Sequence, residues 1–324
     1  MKDMNTGTPQ KQSGSSTIRG VVIGVVLIGG LILITLFAMG KYDAAPQKQV
    51  FSKSEKFRLQ FYYDMEEKFT KLRDEVRPLL EAKKWPLPIW NRGSLTNSKV
   101  ELANFLYEPQ WSCKDMARIG EVGDGAKFVC DVLELSEDPL PCIVYSVGSA
   151  DNFDFENNLL KYADCEIHTF DPKGTKAENL DPRIHFHPYA WVHKPRQKHL
   201  KTQRTWDQIM KELGHDHIDI LKIDVEGGEY GIIPQVFSSQ EGSIPIWQMI
   251  METHFYSKNR TQDIVKFMNL MDGILDDGFR LVAKETNEYW PAFGKEWAFI
   301  YVNPECPFST TRLRTCKNPI KKDK

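Results

Sequence analysis

Apolar residues follow three different rhythms along this chain, and each rhythm predicts a different element. Residues 20–40 show no alternation: twenty-one positions pass without a charge, between Arg19 and Lys41. An apolar run of that length predicts a single transmembrane helix. It is too long for the apolar region of a cleaved signal peptide, so it reads as an uncleaved anchor. Residues 53–84 carry the helical period instead. Met65, Phe69, Leu72, Val76 and Leu79 recur at 4-3-4-3 spacing and form one apolar stripe. A stripe of two heptads predicts a helix docked on its own domain more readily than a stem coiled coil that would make a homodimer. Trp85-Pro-Leu-Pro88 then ends the helix.

From residue 98 the rhythm changes again. Short apolar runs at 142–147, 166–170, 184–187, 218–223, 247–253, 279–283 and 297–302 read as strands. Helical stripes lie between them: Phe155, Leu159 and Tyr162; Trp206, Ile209 and Leu213; Ile264, Phe267, Met271 and Leu275. Ser98-Lys-Val-Glu101 and Thr205-Trp-Asp-Gln208 are capping boxes, and Gly278 ends the last helix. The last two strands have no helix between them and should be antiparallel. The pattern predicts an α/β fold with a doubly wound, Rossmann-like, mostly parallel sheet of seven strands. The expected organisation is a disordered tail at 1–19, the transmembrane helix at 20–40, a linker and helical stem at 41–97, one catalytic domain at 98–308, and a basic tail at 309–324.

Charge and cysteine content narrow the class. The net charge is −2 with no basic stripe, which argues against a nucleic-acid partner. All six cysteines follow the apolar segment, and Asn259-Arg-Thr261 is a glycosylation sequon. Lysines on both sides of the segment leave the positive-inside rule silent. Sequon and cysteines together point to a type II membrane protein of the secretory pathway, in the Golgi, with a lumenal catalytic domain. No Cys/His spacing indicates a metal site.

The candidate chemistry sits where the strands end. Asp224-Val-Glu-Gly-Gly-Glu229 closes one apolar run, as a buried strand does when it stops at a ligand crevice. Gly148, with Ser149 after it, makes the turn that follows the first strand. Asp171 ends the second strand, where an acid accepts hydrogen bonds from ribose hydroxyls. Glu252 and His254 end the fifth. Asp224, Glu252 and His254 should therefore converge as catalytic groups, with a general base among them. The same set would suit a divalent metal, although no metal is predicted. Glu226 and Glu229 are candidate substrate contacts.

In these motifs, taken in order, the chain resembles the S-adenosylmethionine-dependent methyltransferases. The likeness is nearest to membrane-anchored relatives of methyltransferase-like protein 24, and more distant to the FkbM type. It runs through Cys113-Lys-Asp-Met-Ala-Arg-Ile-Gly120, Asp124-Gly-Ala-Lys-Phe-Val-Cys130, Val144-Tyr-Ser-Val-Gly148 with Phe155-Glu156, and His168-Thr-Phe-Asp-Pro172. It continues through Leu213-Gly-His215, residues 218–229 and Glu252-Thr-His254. The resemblance implies a class I methyltransferase fold, with S-adenosylmethionine over Gly148 and Ser149, its ribose on Asp171, and Asp224 beside it. It implies O-methylation of a small-molecule or glycan acceptor. It departs from the type at Ser149-Ala150, where another glycine is more usual. It also carries Cys113 and Cys130, whose spacing suits a disulfide around Gly120-Glu-Val-Gly-Asp-Gly125. Two rival classes share some of these features. A lumenal glycosyltransferase would use Asp224-Val-Glu226 for a metal, and a catalytically inactive module would keep the fold alone.

Overall fold

The structure, a computed structural model, describes residues 22–28, 31–37, 53–83, 99–121, 125–137, 140–173, 180–199, 201–238, 246–256, 260–287 and 294–302. The chain divides into two units, 1–50 and 51–324. The first corrects the membrane expectation. Val22–Ile28 and Leu31–Phe37 are two strands paired antiparallel from Val22↔Phe37 to Ile28↔Leu31, where one long helix was expected. Among the described residues no helix is long and apolar enough to cross a membrane. The physical reason is written in the segment. β-Branched residues crowd both halves, and a glycine pair separates them, which favours a hairpin over a continuous helix. The type II, Golgi, lumenal assignment rested on that helix and falls with it.

The second unit is built on one sheet, whose strands are numbered β1 (Cys142–Val147), β2 (Cys165–Phe170), β3 (Ile184–His187), β4 (Ile218–Ile223), β5 (Ile246–His254), β6 (Phe279–Thr286) and β7 (Gly294–Tyr301). Their order across the sheet is β6-β7-β5-β4-β1-β2-β3. Neighbours pair parallel from β3 to β5, and β7 pairs antiparallel with both β5 and β6. This is the seven-stranded, mostly parallel arrangement expected of a class I methyltransferase-like fold. The order reverses between β1 and β4, and such a switch point opens a crevice at the strands' carboxyl ends.

Among the described residues six α-helices accompany the sheet: α1 (Lys53–Glu81), α2 (Lys99–Leu106), α3 (Asp154–Leu159), α4 (Trp206–Leu213), α5 (Glu229–Ser238) and α6 (Arg260–Asp276). Every residue of β1 and β4 is buried, as in strands covered on both faces. Alternate side chains define the two faces. Tyr145, Val147, Leu221 and Ile223 pack with Val76, Leu102, Trp206, Ile233 and Phe267 of the helices. Val144, Ile167 and Ile220 pack on the other side with Phe155, Leu159 and Val129. The capping box at Thr205 and Gln208 is present, and Gly278 follows α6 with φ +98°. Ser98 lies outside the described residues.

The stripe on α1 faces this chain's own core. Val76 and Leu80 are buried in it, and Leu72 and Leu79 pack against it. Arg73 and Arg77 reach Asp272 of α6 at 3.2 and 2.5 Å, and Glu66 reaches Arg280 of β6 at 3.3 Å. The docked-helix expectation therefore holds. One local expectation needs amendment, and two small strand pairings were not anticipated. α3 stops at Leu159, which leaves Tyr162 54% exposed. A hairpin of Met116–Ile119 and Lys127–Cys130 covers the α3 side of the sheet, and Ala190–Trp191 pairs with Gln203–Arg204. Strands of two to four residues are too short to show a period of two.

Cys113 and Cys130 form the expected disulfide. A second bridge, Cys142–Cys165, was not foreseen. It joins opposed positions at the start of β1 and β2. Cys306, Cys316, Asn259 and both chain tails lie outside the described residues.

Candidate active site

The crevice is built from the turn after β1. Gly148 has φ +87°, and a Cβ there would overlap the carbonyl oxygen of Asp224, so no other residue fits. Its N–H donates to the Phe170 carbonyl at 2.9 Å, and the Asp224 N–H donates to the Val147 carbonyl at 2.8 Å. The ends of β1, β2 and β4 are thereby tied together. Ala150 and Asp151 both adopt positive φ, at 47° and 64°, a conformation that costs non-glycine residues energy. Asp171 offsets that cost. Its Oδ2 accepts from the Ser149 and Ala150 N–H groups at 3.0 and 2.8 Å, and its Oδ1 accepts from the Lys173 N–H at 2.8 Å. A carboxylate thus holds a turn that usually relies on a second glycine.

The turn opens on a cavity of about 490 Å³. Gly148, Ser149, Asp171, Trp191, Lys222 and Asp224 are among its lining residues. The size suits a small-molecule ligand. Ser149 brings a buried Oγ with no hydrogen-bond partner, a polar atom that a ligand would satisfy. Lys222 is directed at the turn itself, and its Nζ donates to the Gly148 carbonyl at 2.9 Å. The glycine cradle, the acid at the end of β2 and the unpartnered hydroxyl fit a nucleoside-bearing cofactor.

Beside the cavity, the ends of β4 and β5 assemble the expected acid and histidine group. His254 Nε2 lies 4.0 Å from Asp224, 3.6 Å from Glu226 and 3.7 Å from Glu252. Its Nδ1 faces Glu229 Oε1 at 3.3 Å. Burial alone would lower the His254 pKa, but the hydrogen bond and charge of Glu229, with Glu252 and Asp224, outweigh it and push it to about 9. Burial raises Glu252 to about 8, helped by the charges of Asp224 and Glu296. Asp224, Glu252 and His254 each offer one ligand atom within 4.8 Å of the others.

The structure therefore brings together Gly148, Ser149, Asp171 and Asp224 around the cavity, with Glu252 and His254 buried behind Asp224. Glu226 also lines the cavity, and its carboxylate accepts from the Tyr256 hydroxyl. Glu229 does not reach the crevice. Its fully buried carboxylate accepts from the Gly227 and His254 N–H groups at 2.8 Å each.

Sequence reasoning missed Lys127, which comes from the small hairpin and is buried against Glu296 of β7 at 2.6 Å, with Asp224 at 3.9 Å. It also missed Trp191, on a two-residue strand. A lysine amid the Gly120–Cys130 motifs was the only available signal.

Residues 52–301 match a protein family described as "Methyltransferase domain". Among curated proteins, the chain is 28% identical over 128 residues to "Probable methyltransferase-like protein 24" of Homo sapiens. The counterpart in Rattus norvegicus is 30% identical over 125 residues. Each match covers 36% of this chain and 33% of the relative, so the chain matches about a third of the length of those relatives. Among solved structures, TrmK of M. capricolum with S-adenosyl-homocysteine superposes with a TM-score of 0.31 at 11% identity, over 52% of this chain and 66% of that one.

Proposed function

We propose, on the premise that this chain belongs to the methyltransferase-domain family, that the crevice binds S-adenosylmethionine and that the protein methylates a hydroxyl oxygen of a small molecule or sugar. The observation that carries this reading is the Gly148 turn, held by Asp171, opening directly beside Asp224. Family membership removes the support for a glycosyltransferase.

When bound, S-adenosylmethionine supplies a methyl group on a positively charged sulfur, so attack by an acceptor oxygen breaks the carbon–sulfur bond and leaves a neutral thioether. Gly148 and Ser149 present the backbone against which the cofactor lies, and Asp171 accepts from its ribose. Asp224 is the group at the cavity wall that takes the acceptor's proton. Lys127 and His254 flank its two oxygens, at 3.9 and 4.0 Å, and orient it. His254 retains its proton near neutral pH and acts as a cation beside the base, whereas Glu252 stays largely protonated behind it. Much of the rate would come from positioning the acceptor oxygen in line with the methyl group.

The test is a calorimetric titration of the purified chain with S-adenosylmethionine. One saturable site, weakened strongly by Asp171→Ala, is expected. Absence of binding by the wild-type chain would overturn the methyltransferase reading and leave the inactive module. Incubation with methyl-labelled cofactor and separate pools of hydroxyl and amine compounds then addresses the acceptor atom. Label entering only amines would reject O-methylation.

A further inference from the structure

Four histidines outside the crevice lie on two strands and at a helix end, and none of them singly marks a site. The fold gathers them. Parallel register sets His168 of β2 beside His185 of β3, and Phe170 beside His187. Glu166 lies two residues before His168 and shares its face of the strand. His215 follows Gly214, the residue that caps α4. His168 Nε2 lies 3.0 Å from Glu166 Oε1, and His185 Nε2 lies 3.5 Å from the same oxygen. Glu166, His168 and His215 each place one ligand atom within 4.8 Å of the others.

We propose that Glu166, His168, His215 and His185 bind one divalent transition-metal ion of the zinc class, which ties β2, β3 and the loop after α4 together. The spacing supports this. Donor atoms around a tetrahedral ion with bonds of about 2.0–2.1 Å lie ~3.3 Å apart; Glu166 Oε1 lies 3.0 Å from His168 Nε2 and 3.5 Å from His185 Nε2, and His185, outside the three-residue set, would turn its exposed ring to complete it. Three imidazoles and one carboxylate favour zinc and its neighbours over magnesium or calcium.

The outer contacts are those that ligating histidines require. His168 Nδ1 is hydrogen-bonded to His187 Nε2 at 2.9 Å, and His215 Nδ1 to the Tyr145 hydroxyl at 2.8 Å. Each bond fixes a ring and leaves Nε2 for the metal. The Glu166 and His185 side chains are 43% and 46% exposed, which leaves an entry path from solvent. The site stands at mid-strand, apart from the strand ends that form the crevice, and does not depend on the methyl-transfer reading.

The experiment uses the full purified chain, stripped by chelation and titrated calorimetrically with Zn²⁺, with Co²⁺ as an absorbing probe. One Zn²⁺ per chain and the visible bands of four-coordinate Co²⁺ are expected. Glu166→Gln and His185→Ala should each weaken Zn²⁺ binding by about tenfold or more. Both side chains are partly exposed, so circular dichroism should report an unchanged fold. Glu252→Gln, in the other acid and histidine group, should bind Zn²⁺ as wild type does. The proposal is overturned if Zn²⁺ binding is not saturable, if Glu166→Gln and His185→Ala both leave it unchanged, or if only Glu252→Gln removes it.

Discussion

At the scale of single residues, the crevice depends on Gly148 and Asp171 in different ways. Gly148→Ala drives a Cβ into a backbone oxygen at φ +87°, which no side-chain movement relieves. We expect a loss of at least ~1–3 kcal/mol in a denaturant titration, with cofactor binding lost as well. A wild-type midpoint in that variant would mean that the turn is not as described. Asp171→Ala removes the acceptor of three backbone N–H groups. Hydrogen bonds to a charged group are worth about 1.5–3 kcal/mol each, so this variant should lose stability even without cofactor. Asp171→Asn retains one acceptor oxygen and should fall between the two. Asp224→Asn keeps size and shape, so cofactor affinity should survive while methyl transfer falls by about 10²–10⁴-fold. Equal transfer rates in the variant and wild type would remove Asp224 as the base.

At the scale of elements, α1 is the informative case. Leu80 is 1% exposed and packs into the main core. Leu80→Ala should cost about 2–5 kcal/mol of unfolding free energy, and the midpoint should not depend on protein concentration. A helix whose stripe formed an intersubunit seam would instead give a concentration-dependent midpoint. The same reasoning applies to the two disulfides. Cys142–Cys165 closes a sequence separation of 23 residues and Cys113–Cys130 one of 17. In the chain-entropy model each is worth about 3 kcal/mol. Thermal melts with and without reductant should differ accordingly, and identical melts would show that neither bridge constrains the unfolded chain.

For the whole molecule, the proton balance of the crevice sets a pH dependence. Folding raises Glu252 from 4.5 to about 8, and His254 from 6.5 to about 9. Both groups bind protons more tightly in the folded state, so their contribution is fully present below the unfolded values and is lost as pH rises through the folded ones. Every tenfold gain in proton affinity is worth about 1.4 kcal/mol. Melting temperature should therefore fall between about pH 6.5 and pH 9, and Glu252→Gln should flatten the slope. A melting temperature that rises across this window would contradict the protonation states assigned to both groups.

The strand and helix rhythm after residue 98 was legible because each strand is a short apolar run, and each helix shows a stripe long enough to carry its period. The same rhythm set the strand count and the antiparallel last pair. Gly148, Asp171, Asp224, Glu252 and His254 were legible for a related reason: in a parallel sheet, strand ends are neighbours wherever the strands lie in sequence.

What remained hidden lay mostly between segments. At 20–40 the length of the apolar run suggested a helix, although its β-branched halves and central glycine pair are those of the hairpin that forms. Lys127 reaches Asp224 only because a four-residue strand lies over the sheet. The sequence determined which residues are apolar, acidic or free to turn, because those are properties of single positions and short windows. Tertiary structure alone decided that Glu229 points inward, that Asp171 holds the turn, and that four distant histidines meet, because each depends on distances between segments that no local pattern encodes.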